Sequence, residues 1–380
     1  MANTTTQSFS TVITILQCVG LYHDPNQPKL VKIWSYVLYF SSLSVAILVF
    51  INLLVDENMD SMQFIQMVIV LTDGTAGCMK ILPFFLKGHK LKECIEFFGS
   101  EIFAPANQEE KRITDECIRV CQRNVKIYAS VLLLTELSWI TLPLFETEQR
   151  LPLSVWLPYD VTSGTAIFYG TYFGVVTVCL YFGIAEMLEP LIGGLVYHAT
   201  GRLKILKHSL QNLAKNLDSC SVVEFRQVFG TLKKCIVHHN DVLTFIREFE
   251  NCFSWCVFCQ IAATAVALCF CSIGLTLVSS IDMGFAMYTS SYFLIASQLL
   301  FYCHYGTLLY EENNDLMNAI YMGPWYKYDI KLRKMLIIIV ERSKIPLILT
   351  AGKVINLTYA TFTSVLKTSY SLIAVLNNYS

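Results

Sequence analysis

The side chains with the clearest capacity for chemistry form a polar row in the last apolar segment of the chain. The row comprises Thr361, Ser364, Thr368, Ser371 and Asn378. Spacings of three and four, with one step occupied by Val375, put these side chains on one face of a helix. Within a membrane, such a row either hydrogen-bonds to neighbouring helices or borders water in a pore. Because Val375 interrupts the row near its end, we favour a pore wall with a hydrophobic gate over a helix contact.

Ionisable residues in the other apolar segments favour structural roles. An unpaired charge at the centre of a bilayer costs about 2.5–3.5 kcal/mol. We expect Asp73 to be satisfied by a neighbouring threonine hydroxyl or by water, with direct ligand contact as the alternative. Glu136 precedes Trp139 by about one turn and could mark the floor of a pocket. Glu186 and Glu189 fall near the end of an apolar segment, where we expect solvent to cover them.

Cysteine and histidine patterns do not predict an enzyme or a metal centre. Cys256 and Cys259 form a C-x-x-C pair inside an apolar segment without a matching second pair, so we expect both to pack. None of the 14 cysteines falls in an outer gap, which disfavours a disulfide framework. His238 and His239 lie in a polar gap, and no Ser, His and Asp set occurs at membrane depth. We therefore predict no catalytic residue, metal or cofactor.

The composition predicts an all-α integral membrane protein. Of the 380 residues, 54% are hydrophobic and 15% are charged, and the mean hydropathy of +0.50 is too high for a soluble domain of this size. Crossing the hydrocarbon layer takes about 20 residues of helix. We predict seven spans near residues 33–55, 61–86, 125–145, 166–196, 253–279, 285–308 and 345–377.

Charge between the spans predicts their orientation. Nearly all of the Lys and Arg residues outside the spans lie in alternate gaps, Arg150 being the exception. Positive charge stays on the cytosolic side during insertion. The N-terminus is therefore expected in the cytosol and the C-terminus outside, which is opposite to a G-protein-coupled receptor; that class remains the alternative if the topology is reversed. A secondary transporter would show internal repeats, and none occurs.

The predicted cytosolic segments also contain helices. Residues 1–32 form an N-terminal segment, in which Phe9, Ile13, Leu16 and Leu21 fit either an amphipathic helix on the inner leaflet or an ordinary leader. Residues 199–252 carry two apolar stripes on either side of a turn at 218–221, which predicts a helical hairpin between the span groups 33–198 and 253–308. Residues 309–344 contain a further helix before the last segment, 345–380. These stripes pack on one another or join neighbouring subunits.

Several motifs resemble those of the insect odorant receptor family. The most specific is the run F-T-S-V-L-K-T-S-Y-S at 362–371, preceded by Ala351-Gly352. Further matches are Cys235-Ile236, His239, Val242-Leu243, Tyr302-Cys303, Gly306, Ala319, Tyr321, Trp325, Arg342-Ser343 and Pro346. The related gustatory receptors end in Thr-Tyr, five residues and Gln-Phe, whereas here Val365-Leu366 follows Thr358-Tyr359. The gustatory branch is therefore the less favoured alternative.

The resemblance implies a ligand-gated, non-selective channel for monovalent and divalent cations in the plasma membrane of olfactory dendrites. The inner loop before the fifth span is much longer in the family's shared co-receptor, so this chain resembles a ligand-specific tuning subunit. Such subunits assemble with co-receptor subunits into a heterotetramer, surrounded by lipid, whose last spans line the pore. The implied ligand is a small, volatile, apolar odorant. Neither enzyme chemistry nor a nucleic-acid partner is implied.

The resemblance also assigns positions to a pocket and a gate. The family's pocket lies in the outer half of the subunit, between the second, third, fourth and sixth spans. The corresponding residues are Phe64, Met67, Val68, Leu71, Ser138, Trp139, Leu142, Phe168, Tyr169, Tyr172, Phe173, Val176, Tyr288, Tyr292 and Phe293. Pore and gate positions are Ser364, Lys367, Thr368, Ser371, Val375, Asn378 and Tyr379, with the gate at Val375. A cation at Lys367 would repel permeant cations, so we expect it to face a subunit interface.

Overall fold

The structure, a computed structural model, consists mainly of long helices. It describes residues 4–22, 28–57, 59–99, 103–105, 107–145, 150–213, 222–278, 283–323 and 325–377. In these ranges the helices are α1 (Thr4–Ser8), α2 (Ser10–Val19), α3 (Lys29–Val55), α4 (Ser61–Glu96), α5 (Gln108–Phe145), α6 (Thr165–Glu186), α7 (Leu188–Asn212), α8 (Val222–Leu277), α9 (Met283–Tyr321), α10 (Ile330–Ser343) and α11 (Tyr359–Asn377). Strands β1 (Thr350–Ala351) and β2 (Ile355–Asn356) pair antiparallel.

Five helical stretches of the described residues are long and apolar enough to cross a membrane. They are Lys29–Val55, Ser61–Gly99, Gln108–Phe145, Thr165–Asn212 and Arg226–Leu277. They coincide with the first five predicted spans, and α9 and α11 coincide with the sixth and seventh without meeting the same criteria. The all-α membrane fold is thus confirmed. The count of seven crossings and their direction stay predictions.

Helix α8 is far longer than a bilayer requires. Its 56 residues correspond to roughly 80 Å at 1.5 Å per residue, against about 30 Å of hydrocarbon. On α7 the leucines Leu203, Leu206 and Leu210 are buried, and on α8 Leu232 and Val242 are buried in the same core. The apolar stripes of 199–252 therefore pack on one another within the chain. The turn expected at 218–221 lies outside the described residues.

The fourth predicted span, 166–196, is not one continuous helix. Helix α6 ends at Glu186 and α7 begins at Leu188. Pro190 has no backbone N–H to donate to the carbonyl oxygen of Glu186, so the hydrogen-bond ladder of the helix is interrupted there. The break brings Glu186 and Glu189 to the inside of the bundle, where both are buried.

The apolar face of the N-terminal segment packs into the protein core, whereas the sequence left open a helix on the inner leaflet and an ordinary leader. Its apolar residues Phe9, Ile13, Leu16 and Leu21 are all buried in the main hydrophobic core. The Phe9 ring occupies the space beside Gly194 of α7, where an added Cβ would lie 2.3 Å from the ring. Side chains that interdigitate with a protein surface pack more closely than they do against lipid. The apolar face of the N-terminal segment therefore packs against the protein.

The last predicted span, 345–377, was placed to begin before the helix does in the structure. Before α11, the chain makes a hairpin of β1 and β2 whose turn has Gly352 and Lys353 at φ 60°. This hairpin is held on α8, because the Thr350 amide and hydroxyl both donate to Glu250 at 2.9 Å and the Ser254 hydroxyl donates to the Thr350 carbonyl at 2.9 Å. Positive φ at two consecutive residues is incompatible with a continuing helix. The helix therefore starts only at Tyr359.

Candidate functional site

A cavity of about 570 Å³ lies among α4, α5, α9 and the loop 150–155; we call it the outer cavity. Its lining residues are Asn52, Asp60, Met62, Gln63, Gln66, Trp139, Pro143, Phe145, Arg150, Leu151, Pro152, Leu153, Ser154, Val155, Gly284, Met287 and Tyr288. A narrow extension is lined in addition by Val49, Met67 and Val70. The extension is mostly apolar, whereas the wider part also carries amide and charged side chains. This combination suits a small ligand that is mainly apolar with one polar end.

Hydrogen bonds between α5 and α9 fix the wall that contains Trp139. The indole N–H of Trp139 donates to the Ser291 hydroxyl at 2.9 Å. One residue earlier, the hydroxyl groups of Ser138 and Ser290 lie 3.4 Å apart. Because a buried indole N–H needs an acceptor, these bonds restrict the orientation of the ring. Trp139 is therefore a positioned part of the wall.

The loop after α5 covers one side of the outer cavity, and sequence reasoning missed it. Leu153 is buried and packs with Val175 and Cys179 of α6, and Trp139 contacts the same small cluster. The amide of Trp156 donates to the Leu48 carbonyl at 3.3 Å, which ties the loop to α3. An apolar sequence, Leu151-Pro152-Leu153, in a predicted outer gap was the available signal. Loops at such positions commonly carry ligand contacts.

Three of the predicted pocket residues line the outer cavity or its extension, namely Met67, Trp139 and Tyr288. Several others lie close by in the packing: Val68, Leu71 and Tyr292 are half-buried and Ser138 is buried. The side chain of Leu142 lies outside the described residues.

Four predicted pocket aromatics do not line the outer cavity or its extension. Phe64, Tyr169, Phe173 and Phe293 are 42%, 58%, 74% and 64% exposed on the outer surface of the chain. Their assignment to a ligand pocket therefore stays a prediction. Lipid and a pocket both favour aromatic side chains, so apolar character alone does not separate the two faces of a membrane helix.

The predicted residues of α6 form a separate group behind α5. Phe168 is buried with its ring against Tyr169 and Tyr172, and Val176 is half-buried. The Tyr172 hydroxyl donates to the carbonyl oxygen of Ile140 on α5. None of these side chains lines the outer cavity. Their contacts support the α5–α6 packing rather than the wall of this cavity.

Helix α11 has one packed face and one polar, uncovered face. Val365 packs against the core and Ser369 is 2% exposed. The predicted pore residues Ser364, Lys367, Thr368 and Ser371 are all exposed. The side chain of Val375, and Asn378 and Tyr379 altogether, lie outside the described residues. The polar row of the sequence therefore lies on the face that the rest of the chain leaves open.

A buried ion-pair network joins α4 to α9, and it corrects the expectation that Glu186 and Glu189 are solvated. The Lys80 ammonium contacts the Glu186 carboxylate and lies 2.9 Å from Glu189 Oε1. Glu186 also accepts hydrogen bonds from the Tyr128 hydroxyl at 3.2 Å and from the Gln298 amide. Lys80 is the partner that sequence reasoning left unassigned; a lysine within an apolar segment was the signal.

The other two carboxylates of the predicted spans have different surroundings. The hydroxyl groups of Thr72 and Thr75 donate to backbone carbonyls of their own helix, at 2.8 and 2.9 Å, and not to Asp73. Asp73 is half-buried and within electrostatic range of Lys80. Glu136 packs beside Gly183, where an added Cβ would lie 3.7 Å from the carboxylate. Neither carboxylate lines the outer cavity.

Comparison with known proteins identifies the family. A family model described as 7tm Odorant receptor matches residues 60–370. Odorant receptor Or1 of Anopheles gambiae is 21% identical over 314 residues, which cover 76% of this chain and 75% of that protein. Odorant receptor Or2 of the same organism is 25% identical over 248 residues, which cover 63% of this chain and 64% of that protein.

The fold has a close match among solved structures. The insect olfactory receptor OR5 from Machilis hrabei, in complex with eugenol, superposes with a TM-score of 0.86 at 15% identity and covers 98% of both chains. At this identity the likeness concerns the fold alone. Since the family model spans most of the sequence and the curated relatives are insect odorant receptors, the chain belongs to the 7tm odorant receptor family.

Proposed function

We propose that this chain is the tuning subunit of an odorant-gated, non-selective cation channel. It binds a small apolar odorant in the outer cavity and opens a central pore together with co-receptor subunits in a heterotetramer. The observation that carries the proposal is the uncovered polar face of α11, formed by Ser364, Lys367, Thr368 and Ser371. The sites of action are the plasma membrane and the dendrites of olfactory neurons.

The dimensions and lining of the outer cavity support odorant binding. A volume of about 570 Å³ falls within the usual range of roughly 300–1,000 Å³ for small-molecule sites. Trp139, Met287 and Tyr288 supply apolar surface, and Gln66 supplies an amide that can orient one polar group of a ligand. Recognition would then depend chiefly on shape.

The exposed face of α11 supports a pore shared between subunits. The Thr368 hydroxyl donates to the Ser364 carbonyl at 2.9 Å within α11. The exposed Lys367 ammonium is costly in hydrocarbon, so we infer that this face lies against water or another protein. A single helix cannot enclose a water-filled path. Several copies of this face around one axis would do so, with Val375 as the constriction by resemblance and cations as the permeant ions.

The exposed apolar residues near α10 support assembly with other subunits. Ile337, Ile338 and Ile345 are exposed by 57%, 59% and 56%, and Val354 in the hairpin turn is 78% exposed. Ile337 and Ile338 belong to the segment 309–344 that is predicted to be cytosolic, where lipid does not cover them, and Ile345 and Val354 follow it before α11 begins. A patch of this kind marks a protein contact. Co-receptor subunits are the partner that the family resemblance implies.

Separate variants test the pocket and the gate. In cells that also express a co-receptor, Trp139→Ala is expected to raise the half-maximal odorant concentration about 5- to 100-fold, because it removes large apolar surface worth roughly 1–3 kcal/mol. Tyr169→Ala is the matched control, since its side chain does not line the outer cavity. Val375→Ala should raise ligand-free current without changing the ranking of odorants. Unchanged potency in Trp139→Ala, or a changed ranking in Val375→Ala, would contradict the assignment.

Labelling of the termini tests the orientation. A tag after Ser380 should be labelled on intact cells, and a tag after Ala2 should be labelled only after permeabilisation. The reverse pattern would end the channel proposal and favour the G-protein-coupled alternative. Robust odorant-evoked current from this chain expressed without a co-receptor would contradict its role as a tuning subunit.

A further inference from the structure

A second cavity, of about 1060 Å³, lies between residues 103–110, the end of α7 and the start of α8; we call it the basic cavity. It is remote in sequence from the outer cavity and shares no lining residue with it. Its wall carries four cationic side chains, Arg202, Arg226, Lys233 and Lys234, against the single carboxylate of Glu110. By the charge pattern of the chain, this cavity opens toward the cytosol.

Arg202 is a buried cation that is held by backbone carbonyl groups and an aromatic ring. It is 3% exposed, and its guanidinium donates to the backbone carbonyls of Phe103 at 2.7 Å and Phe98 at 3.4 Å. The same group lies over the Phe103 ring, 5.2 Å from its centre. No ion pair within the described residues includes Arg202. A buried charge is stabilised when a group of opposite charge lies next to it.

Two histidines on the same wall have buried nitrogen atoms without partners. The Asn212 amide N–H donates to His208 Nε2 at 2.8 Å, so that the proton of the neutral ring lies on Nδ1. His208 Nδ1 is buried and has no acceptor among the described residues. His238 Nε2 is likewise buried and unpaired in that part of the chain. Buried polar atoms are nearly always satisfied, so these two nitrogens indicate a missing hydrogen-bonding group.

We propose that the basic cavity binds a phosphate-bearing anion. A phosphate group presents several acceptor oxygens and negative charge, which matches the guanidinium of Arg202, the ammonium groups of Lys233 and Lys234 and the free N–H of His208. The inference goes beyond odorant gating and does not depend on it. The shared chemistry is the phosphate, which either an inositol lipid of the inner leaflet or a soluble phosphate compound can supply.

Binding to the full-length chain in nanodiscs tests the proposal and separates the two sources. The probes are inorganic phosphate and inositol trisphosphate in solution, and phosphatidylinositol bisphosphate incorporated in phosphatidylcholine nanodiscs, with phosphatidylserine at equal charge as the reference lipid. Saturable binding is expected for at least one phosphate probe, with weaker binding at higher salt. Binding of the soluble probes identifies a soluble ligand, and a response confined to the inositol lipid identifies the membrane as the source.

Variants locate the site. Lys233→Gln with Lys234→Gln should weaken binding about tenfold or more, since both side chains are exposed and their loss leaves the core intact. Lys90→Gln with Lys111→Gln removes the same charge at exposed positions outside the cavity and should change binding less than about twofold. Arg202→Gln should abolish binding. Absence of saturable binding by every probe, or an equal loss in the control pair, would overturn the proposal.

Discussion

Replacing Lys80 by methionine tests the buried network directly. The variant removes the cation that contacts Glu186 and Glu189, whose side chains are 4% and 0% exposed. Removing one partner of a buried ion pair destabilises a protein by about 3–5 kcal/mol. At roughly 2 °C per kcal/mol for a chain of this size, the midpoint of thermal unfolding should fall by about 5–10 °C.

The two carboxylates are not equivalent once Lys80 is gone. Glu186 keeps the Tyr128 and Gln298 donors. Glu189 keeps only the nearby Tyr302 hydroxyl, which does not reach hydrogen-bond geometry. Adding Glu189→Gln to Lys80→Met should therefore restore most of the lost stability, and adding Glu186→Gln should restore less. Neutralising all three residues should give near-native stability, because the network is then free of unpaired charge.

The assay is thermal unfolding of the chain purified in detergent as a fluorescent fusion. Size-exclusion chromatography after each heating step measures the fraction that remains folded. Lys126→Met is the matched control, because Lys126 also lies in a predicted span but is exposed. It should shift the midpoint by less than about 1 °C. Native stability in Lys80→Met, or equal rescue by Glu186→Gln and Glu189→Gln, would refute the reasoning.

Three further variants probe the cavity, the pore and the packing. Leu153→Ala should raise the half-maximal odorant concentration about 5- to 30-fold through lost apolar contact, whereas Leu157→Ala, outside the outer cavity, should not; dose-response curves decide. Lys367→Gln should leave the single-channel cation conductance unchanged in patch recordings, because we expect Lys367 to face a subunit interface; an increased conductance would place its charge on the ion path. Gly306→Ala should reduce surface abundance, because its Cβ would lie 2.3 Å from the Leu357 carbonyl oxygen; Gly230→Ala, at an open position, should be tolerated, and equal abundance of the two would contradict the packing argument.

The elements were predictable from the sequence where one local pattern determines them. Runs of apolar residues identify α3 to α9, and the spacing of Ser364, Thr368 and Ser371 identifies the polar face of α11. The start of α11 was missed because Gly352 and Lys353 were read as part of a continuous apolar span. The turn becomes evident only from their positive φ angles.

The composition of the site was less predictable, because it depends on contacts between distant segments. Lys80 and Glu186 are 106 positions apart, and one sequence does not show that they meet. Tyr169 and Phe173 were assigned to the pocket by resemblance, but both are exposed and neither lines the outer cavity. Membrane helices are apolar on both the lipid side and the protein side, so the periodicity that reveals a buried face in a soluble helix is weak here.

The burial of Phe9 against α7 has a consequence for biosynthesis. Ser8, beside it, bonds to His198 at 2.9 Å, across 190 positions of sequence. At about 5–20 residues per second, the ribosome needs roughly 10–40 s to make the partner of a segment that it produced first. During that interval Phe9 and Ser8 lack their partners on α7, although α3 and α5, which also contact the N-terminal helices, are made earlier. The bundle therefore closes around the N-terminal segment only after α7 is made, and short N-terminal fusions that keep Phe9 away from Gly194 should retain the receptor in the endoplasmic reticulum.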